Sequence, residues 1–199
     1  MYARWSVALV LLPIVCTCAL ACGRAQAEVR FPSKMKRVAA SVGDVVFLRT
    51  TTWRGRVVRI FESGRDDFSH VGVVVEVAGD SLRIAHAAPG EDGGLGIVRV
   101  DELAALLARD DVVSADIYHA RVSEDDAKRA AGIALGYAKS QTPFDRNLRL
   151  DDDHAVYCTE LVWLSYGQFG LTVRSRSAIL FPSDLLTTGF FVVREEVGR

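Results

Sequence analysis

The chain has 199 residues, half of them hydrophobic, and a formal net charge of −1 at pH 7. This length suits one domain with a substantial core and is short for two. The nearly balanced charge argues against a nucleic-acid partner. The four histidines are scattered and lack the short paired spacings of a zinc site, and no glycine motif for phosphate occurs. We therefore expect neither a metal nor a cofactor.

The first 27 residues have the pattern of a bacterial secretory signal peptide. Arg4 precedes an apolar run over residues 7–21, and the small residues 25–27 (Ala-Gln-Ala) suit a signal peptidase. The run is too short for a permanent membrane span. We expect residues 28–199 to form one secreted domain in the bacterial periplasm or cell envelope. Its formal charge would be −3, because the leader carries two arginines and no acid.

Three of the four cysteines lie in this leader, which leaves Cys158 as the one thiol of the predicted domain. Residues 19–22 (Ala-Leu-Ala-Cys) loosely resemble a lipoprotein processing site, with alanine in place of the usual leucine three residues before Cys22. Lipidation of Cys22 stays open and would be the one attachment to a membrane. A disulfide within the domain is excluded. An unpaired thiol in an oxidising compartment is a liability unless it is buried or useful.

The first half of the domain is predicted to be rich in strands. Residues 42–48 read as a turn and a short strand, and residues 57–61 form an apolar stretch of uncertain type. Residues 69–77 are the strongest strand pattern in the chain. A turn over residues 78–80 joins this segment to an alternating strand over residues 81–87, so the two strands are expected to form a hairpin.

The second half mixes strands and helices. Ser123 and the acids that follow it predict a helix running to about Lys139, and Gly170 is a natural stop for a helix that begins at Cys158. Together with the first half this predicts an α+β fold, an antiparallel sheet packed against helices. The remaining predicted elements are a strand over 97–100, a helix opened by Asp101, a strand over 116–122, a turn over 181–185 and a strand over 189–194.

Cys158 is the first candidate catalytic residue. In the first turn of a helix, backbone amides and the helix dipole would stabilise a thiolate, and the same amides could hold an oxyanion formed on a substrate carbonyl. The alternative is a buried structural cysteine that packs with Leu161 and Val162.

His70 and His86 are the second and third candidates. His70 begins an apolar strand, where an imidazole can accept a proton from a thiol at neutral pH, although it could equally be an ordinary strand-end residue. A three-residue turn over 78–80 would pair residue 72 with His86 and put both histidines on one face of the sheet. A two-residue turn would put them on opposite faces. The alternative for His86 is a core histidine satisfied by the backbone.

The sequence resembles the permuted papain-like cysteine hydrolases of the YiiX/YaeF type, which belong to the NlpC-type superfamily and are related to the lecithin retinol acyltransferase-like proteins. The resemblance rests on residues 69–74 (Ser-His-Val-Gly-Val-Val), 84–87 (Ile-Ala-His-Ala) and 157–161 (Tyr-Cys-Thr-Glu-Leu). Residues 43–47, 143–145 and 181–185 also match features of that group. The histidine precedes the cysteine, which is the order of the permuted branch.

The resemblance implies Cys158 as nucleophile, His70 as base and His86 as the third member, in a permuted papain-like fold with the nucleophile at a helix N-terminus. Many members of the YiiX type carry a glutamate where His86 stands, whereas the acyltransferase-like branch uses a second histidine. His86 can orient His70 but cannot neutralise an imidazolium as a carboxylate would. The other polar residues, His154, His119, Glu76 and Glu160, receive no catalytic role.

The expected function is a secreted thiol hydrolase that cleaves an amide or ester bond through an acyl-enzyme. Its partner would be a small peptide from the cell wall, a lipopeptide or an N-acyl amide. The alternatives are a lipid-directed acyltransferase or hydrolase, and an envelope module that binds a ligand without turnover. The oligomeric state stays open.

Overall fold

The computed structural model describes residues 39–51, 68–90, 94–150, 154–174 and 179–194. The predicted leader and the apolar stretch over residues 57–61 lie outside the described residues. Within the described ranges, six strands form one antiparallel sheet in the order β4-β3-β2-β1-β5-β6. The strands are β1 (Val45–Thr50), β2 (His70–Ala78), β3 (Ser81–Ala88), β4 (Ile97–Glu102), β5 (Val112–Ala120) and β6 (Phe191–Val193).

Four α-helices accompany the sheet in the described part of the chain. None of them is long and apolar enough to cross a bilayer. They are α1 (Leu103–Leu107), α2 (Glu124–Lys139), α3 (Cys158–Tyr166) and α4 (Pro182–Thr187), and a 3₁₀ turn, Gly167–Phe169, extends α3. The mixture of helices with an antiparallel sheet confirms the predicted α+β class.

Both faces of the sheet are buried. Successive residues of a strand point to opposite sides, and here both sets of side chains pack in hydrophobic clusters. In β1, Val45 and Phe47 belong to one hydrophobic cluster, whereas Val46 and Leu48 belong to another. The first cluster also holds the apolar side chains of α2 and α3, and the second holds those of α1. The sheet is therefore the middle of three layers, with α2 and α3 on one side and α1 on the other.

The two helix boundaries with the strongest sequence signals are confirmed. Ser123 is the N-cap of α2, where its Oγ accepts a hydrogen bond from the backbone amide of Asp126 at 3.1 Å, and the helix ends at Lys139. The helical segment that begins at Cys158 stops at Gly170, whose φ of 99° lies in the left-handed region that favours glycine.

Two predicted elements differ from the structure. The helix expected after the strand over 97–100 forms as α1, but Asp101 does not open it: Asp101 lies inside β4, which runs on to Glu102, because the strand pairs with β3 through Arg83 opposite Glu102. Residues 181–185 do not form a simple turn: Pro182 starts α4, where its fixed φ and missing amide hydrogen suit a first helical position. The predicted strand over 116–122 is displaced toward the N-terminus as β5.

Candidate active site

Cys158 is the first residue of α3. Tyr157, directly before it, is extended, and its carbonyl oxygen accepts the first helical hydrogen bond, from the amide of Leu161 at 2.9 Å. The side chain of Glu160 turns back and accepts a hydrogen bond from the amide of Tyr157 at 3.3 Å. The cysteine is partly buried against the first hydrophobic cluster. The thiol therefore occupies the helix start that the sequence predicted.

The residues on either side of Cys158 hold this helix start to a distant segment. The amide of Leu180 donates to the hydroxyl of Tyr157 at 2.8 Å, and the hydroxyl of Thr159 donates to the carbonyl oxygen of Leu180 at 2.6 Å. Burial of Tyr157 raises the pKa of its phenol above the usual value, so it stays protonated. Both backbone polar groups of Leu180 are thus satisfied by side chains next to the thiol, a role of Tyr157 and Thr159 that the sequence did not reveal.

His70 and His86 form a hydrogen-bonded pair. The Nε2 atom of His70 lies 2.8 Å from the Nδ1 atom of His86, and the rings meet edge to face with centroids 5.0 Å apart. His86 is buried and His70 partly exposed. The structure therefore brings together two of the three candidate residues.

The β2–β3 register explains the pairing of the histidines. The turn contains two residues, with Ala78 opposite Ser81, which by itself would put the histidines on opposite faces. A β-bulge between Val74 and Glu76 shifts the register by one residue, so that Val73 lies opposite Ala85 and Gly72 opposite His86. This shift puts both histidines on the same face of the sheet. The three-residue turn considered from the sequence does not form, and a bulge achieves the same result.

A carboxylate extends the histidine pair. The Oδ2 atom of Asp101 lies 3.0 Å from the Nε2 atom of His86, and the Nε–H of Arg99 donates to the same oxygen at 2.8 Å. Asp101 and Arg99 reach this place because β4 pairs with β3, with Arg99 opposite His86 and Asp101 opposite Ile84. The sequence suggested Asp101 only as a helix cap. The sequence signal that could have found it is the alternation of β4, in which residues 99 and 101 share a face.

Electrostatics keep this site in a defined charge state at neutral pH. Burial, and then the electrostatic interaction with His86, lower the pKa of His70 to about 3. The hydrogen bond from His86, assisted by Arg99, lowers the pKa of Asp101 to about 2. Above pH 5, His70 is therefore neutral and Asp101 is ionised.

The comparison with protein families identifies the fold and the kind of enzyme. Residues 39–182 match the model of the C92 peptidase family, described as permuted papain-like amidase enzymes of the YaeF/YiiX type. The chain belongs to the C92 family. It is therefore a hydrolase of the cysteine peptidase or amidase type, and the predicted permuted papain-like fold is confirmed. The matched range contains Cys158, both paired histidines and Asp101.

A solved structure supports this C92 fold. The crystal structure titled metalloprotein yiiX from Escherichia coli O157:H7 is 14% identical in sequence, covers 80% of this chain and 98% of that chain, and superposes with a TM-score of 0.60. Curated proteins yield no match. Among the described residues of this C92 chain, no group of three or more His, Cys, Asp or Glu is placed to hold a metal ion.

Cys158 and His70 are related to opposite faces of strand β2. Cys158 packs against the cluster that contains Val71 and Val73 of β2, whereas alternation puts His70 on the other face of that strand, with Gly72. The helix of the C92 nucleophile candidate packs directly on β2 and β3. The described contacts therefore unite His70, His86 and Asp101, and place Cys158 at the end of the neighbouring helix.

The remaining polar candidates lie away from this chain of hydrogen bonds. His154 is exposed, and Glu76 pairs with Arg83 at 2.9 Å on the surface. His119 is partly buried beside the ion pair of Asp44 and Arg194, and burial lowers its pKa. These placements give none of them a role in the C92 site.

Proposed function

We propose that this protein hydrolyses an amide or ester bond, with Cys158 as nucleophile, His70 as base and His86 as the residue that orients His70. The observation that carries the proposal is the 2.8 Å hydrogen bond between the two imidazoles in a member of a cysteine amidase family. It uses one nitrogen of His70 and leaves Nδ1 as the atom that can accept a proton from a thiol.

The arrangement of elements supports an approach between Cys158 and His70. Each is the first residue of its element, and α3 packs on β2 and β3. Their neighbours Tyr157 and Val71 belong to the same hydrophobic cluster. Because His70 is the first residue of β2, its side chain lies where the strand ends and can pass the end of the strand. We therefore propose that the thiol and the imidazole meet at the start of β2.

The reaction begins when Nδ1 of His70 takes the thiol proton as Sγ of Cys158 attacks the substrate carbonyl. The negative charge that develops on the carbonyl oxygen is favoured by the positive end of α3. The imidazolium returns its proton to the leaving amine or alcohol, and the acyl group stays on sulfur. Water, deprotonated by His70, then releases the acid and regenerates the thiol.

The substrate class is inferred from the expected location of the protein in the cell envelope. The signal-like pattern of residues 1–27 supports export to the periplasm, where cell-wall peptides, lipopeptides and N-acyl amides occur. Lipidation of Cys22 would hold the enzyme at a membrane surface.

Intact-protein mass spectrometry after mixing the purified protein with a p-nitrophenyl ester tests this proposal. We expect one acyl adduct on Cys158, none in Cys158→Ala, and a rate of acylation reduced by about 10²- to 10⁴-fold in His70→Ala. His154→Ala, which removes an exposed histidine near Cys158 in sequence, should acylate like the wild type.

The outcome separates the alternatives. A wild type that releases no nitrophenol and forms no adduct would identify a binding module without turnover and overturn the proposal. Transfer of the acyl group to an added amine in preference to water would instead identify an acyltransferase.

A further inference from the structure

Asp101 ends a chain of hydrogen bonds that runs through both imidazoles. The distances are 3.0 Å from Oδ2 of Asp101 to Nε2 of His86, and 2.8 Å from Nδ1 of His86 to Nε2 of His70. We propose that Asp101 is a positioning residue that determines which ring nitrogen of His70 carries the proton and so makes Nδ1 the basic atom. The expected effect on catalysis rests on the proposed function, whereas the assignment of the proton on His70 does not.

The direction of each hydrogen bond follows from the chemistry of the groups. An ionised carboxylate has no hydrogen, so Nε2 of His86 must donate to Asp101. In a neutral imidazole the other nitrogen is then an acceptor, so Nδ1 of His86 accepts a hydrogen from Nε2 of His70. The same rule leaves a lone pair on Nδ1 of His70. One carboxylate therefore sets the tautomers of two rings.

Arg99 keeps the carboxylate in this role. Its Nε–H donates at 2.8 Å to the same oxygen that accepts from His86, which holds that oxygen between two donors. Arg99 and Asp101 line one cavity together with Arg83, Glu102 and Arg109. The side chain of Asp101 is 29% exposed there, whereas the side chain of His86 that it contacts is 2% exposed.

Asp101 also provides the negative charge that His86 lacks. When His70 takes the thiol proton, an S–H bond breaks, an Nδ1–H bond forms and a positive charge appears on His70. Proton transfer leaves the bonds of His86 and Asp101 unchanged, but the carboxylate attracts the new charge through the intervening ring. A histidine third member backed by aspartate can therefore stabilise an imidazolium, which a lone second histidine cannot.

Two substitutions separate these effects. In Asp101→Asn the charge is lost, but Arg99 favours the amide oxygen at the position of Oδ2, so the acceptor and both tautomers should persist. In Asp101→Leu the acceptor is lost as well. Glu76→Gln is the matched control, since it removes a carboxylate from an exposed ion pair on β2, which is separated from β4 by β3.

Nitrogen-15 NMR of the imidazole rings at pH 7 is the direct readout. In the wild type and in Asp101→Asn we expect His70 to be protonated at Nε2 and unprotonated at Nδ1. In Asp101→Leu the ring should become a mixture of tautomers. This measurement does not depend on turnover, so it tests the inference even if the proposed hydrolysis fails.

Ester hydrolysis is the second readout. We expect kcat to fall by about 10- to 100-fold in Asp101→Leu with KM little changed, by less in Asp101→Asn, and not at all in Glu76→Gln. Protonation of Nδ1 in the wild-type His70 would overturn the inference, as would an unchanged tautomer in Asp101→Leu. Should the leucine variant not fold, the wild-type spectrum still decides which nitrogen of His70 carries the proton, and a proton on Nδ1 there overturns the inference.

Discussion

Gly72 lies directly opposite His86 in the β2–β3 pair. A Cβ atom at residue 72 would stand 3.1 Å from the Cβ of His86 and 2.9 Å from Cδ1 of Ile84. The absence of a side chain at this position is therefore what allows the buried ring of His86 to lie against β2 and reach His70.

We expect Gly72→Ala to displace His86 and lower kcat for ester hydrolysis by about tenfold or more, because small displacements of catalytic groups are costly. Gly132→Ala is the control. It lies within α2, where an added Cβ meets nothing within 4 Å, and should raise stability by about 0.5–1 kcal/mol. Measurements of kcat and of urea unfolding on both variants check these two expectations. An unchanged kcat in Gly72→Ala would show that the position of His86 does not depend on this close approach.

The free energy of unfolding should depend on pH through His70. Its pKa is about 3 in the folded protein and 6.5 when unperturbed, so between these values the unfolded state binds more protons. Stability from this group is present above pH 6.5 and decreases as the pH falls, by at most about 1.4 kcal/mol per pH unit.

Urea unfolding between pH 4 and 7 measures this dependence. We expect His70→Gln to show a shallower loss of stability toward acid than the wild type, whereas His154→Gln, at an exposed position, should follow the wild type. Equal slopes for the wild type and His70→Gln would contradict a depressed pKa.

Breaking the ion pair of Asp44 and Arg194 should be strongly destabilising. Two hydrogen bonds of 3.0 Å join the groups, and Asp44 is almost fully buried. We expect Arg194→Ala to cost about 3–5 kcal/mol at pH 7, because it leaves a buried carboxylate without its counter-charge. Arg83→Ala, which breaks an exposed pair, should cost at most about 1 kcal/mol.

The same pair predicts the sign of a pH effect. Burial raises the pKa of Asp44 although Arg194 opposes the shift, so the folded state binds the proton more readily and stability from this group decreases as the pH rises above 3.8. Without Arg194 the pKa rises further. The destabilisation of Arg194→Ala should therefore be smaller at pH 4 than at pH 7, and a constant difference would refute this account.

The contacts of Leu180 should control the position of Cys158. We expect Thr159→Val to destabilise the protein by about 1–3 kcal/mol, because the carbonyl oxygen of Leu180 loses its buried donor. The rate of alkylation of Cys158 should change as well. Thr187→Val removes an exposed hydroxyl in α4 and serves as the control. Alkylation unchanged in Thr159→Val would show that the helix start is held by other contacts.

Much of the local structure followed from sequence patterns. The hydroxyl and acids of residues 123–126 predicted the start of α2, and Gly170 predicted a helical stop, because caps act over a few neighbouring residues. The α+β class and the histidine hairpin were likewise readable from apolar alternation. Asp101 was misread for the same local reason, since an acid before an apolar run also looks like a helix cap.

The sequence by itself determined the candidate residues, Cys158, His70 and His86, and the kind of chemistry that a thiol and imidazoles support. Only the tertiary structure decided which of them meet. The two-residue turn at Gly79 would have separated the histidines, and a bulge near Val75 brings them together. Asp101 and Arg99 joined them through a strand pairing between residues distant in sequence. Such register is determined by packing summed over the whole sheet, so no local pattern encodes it.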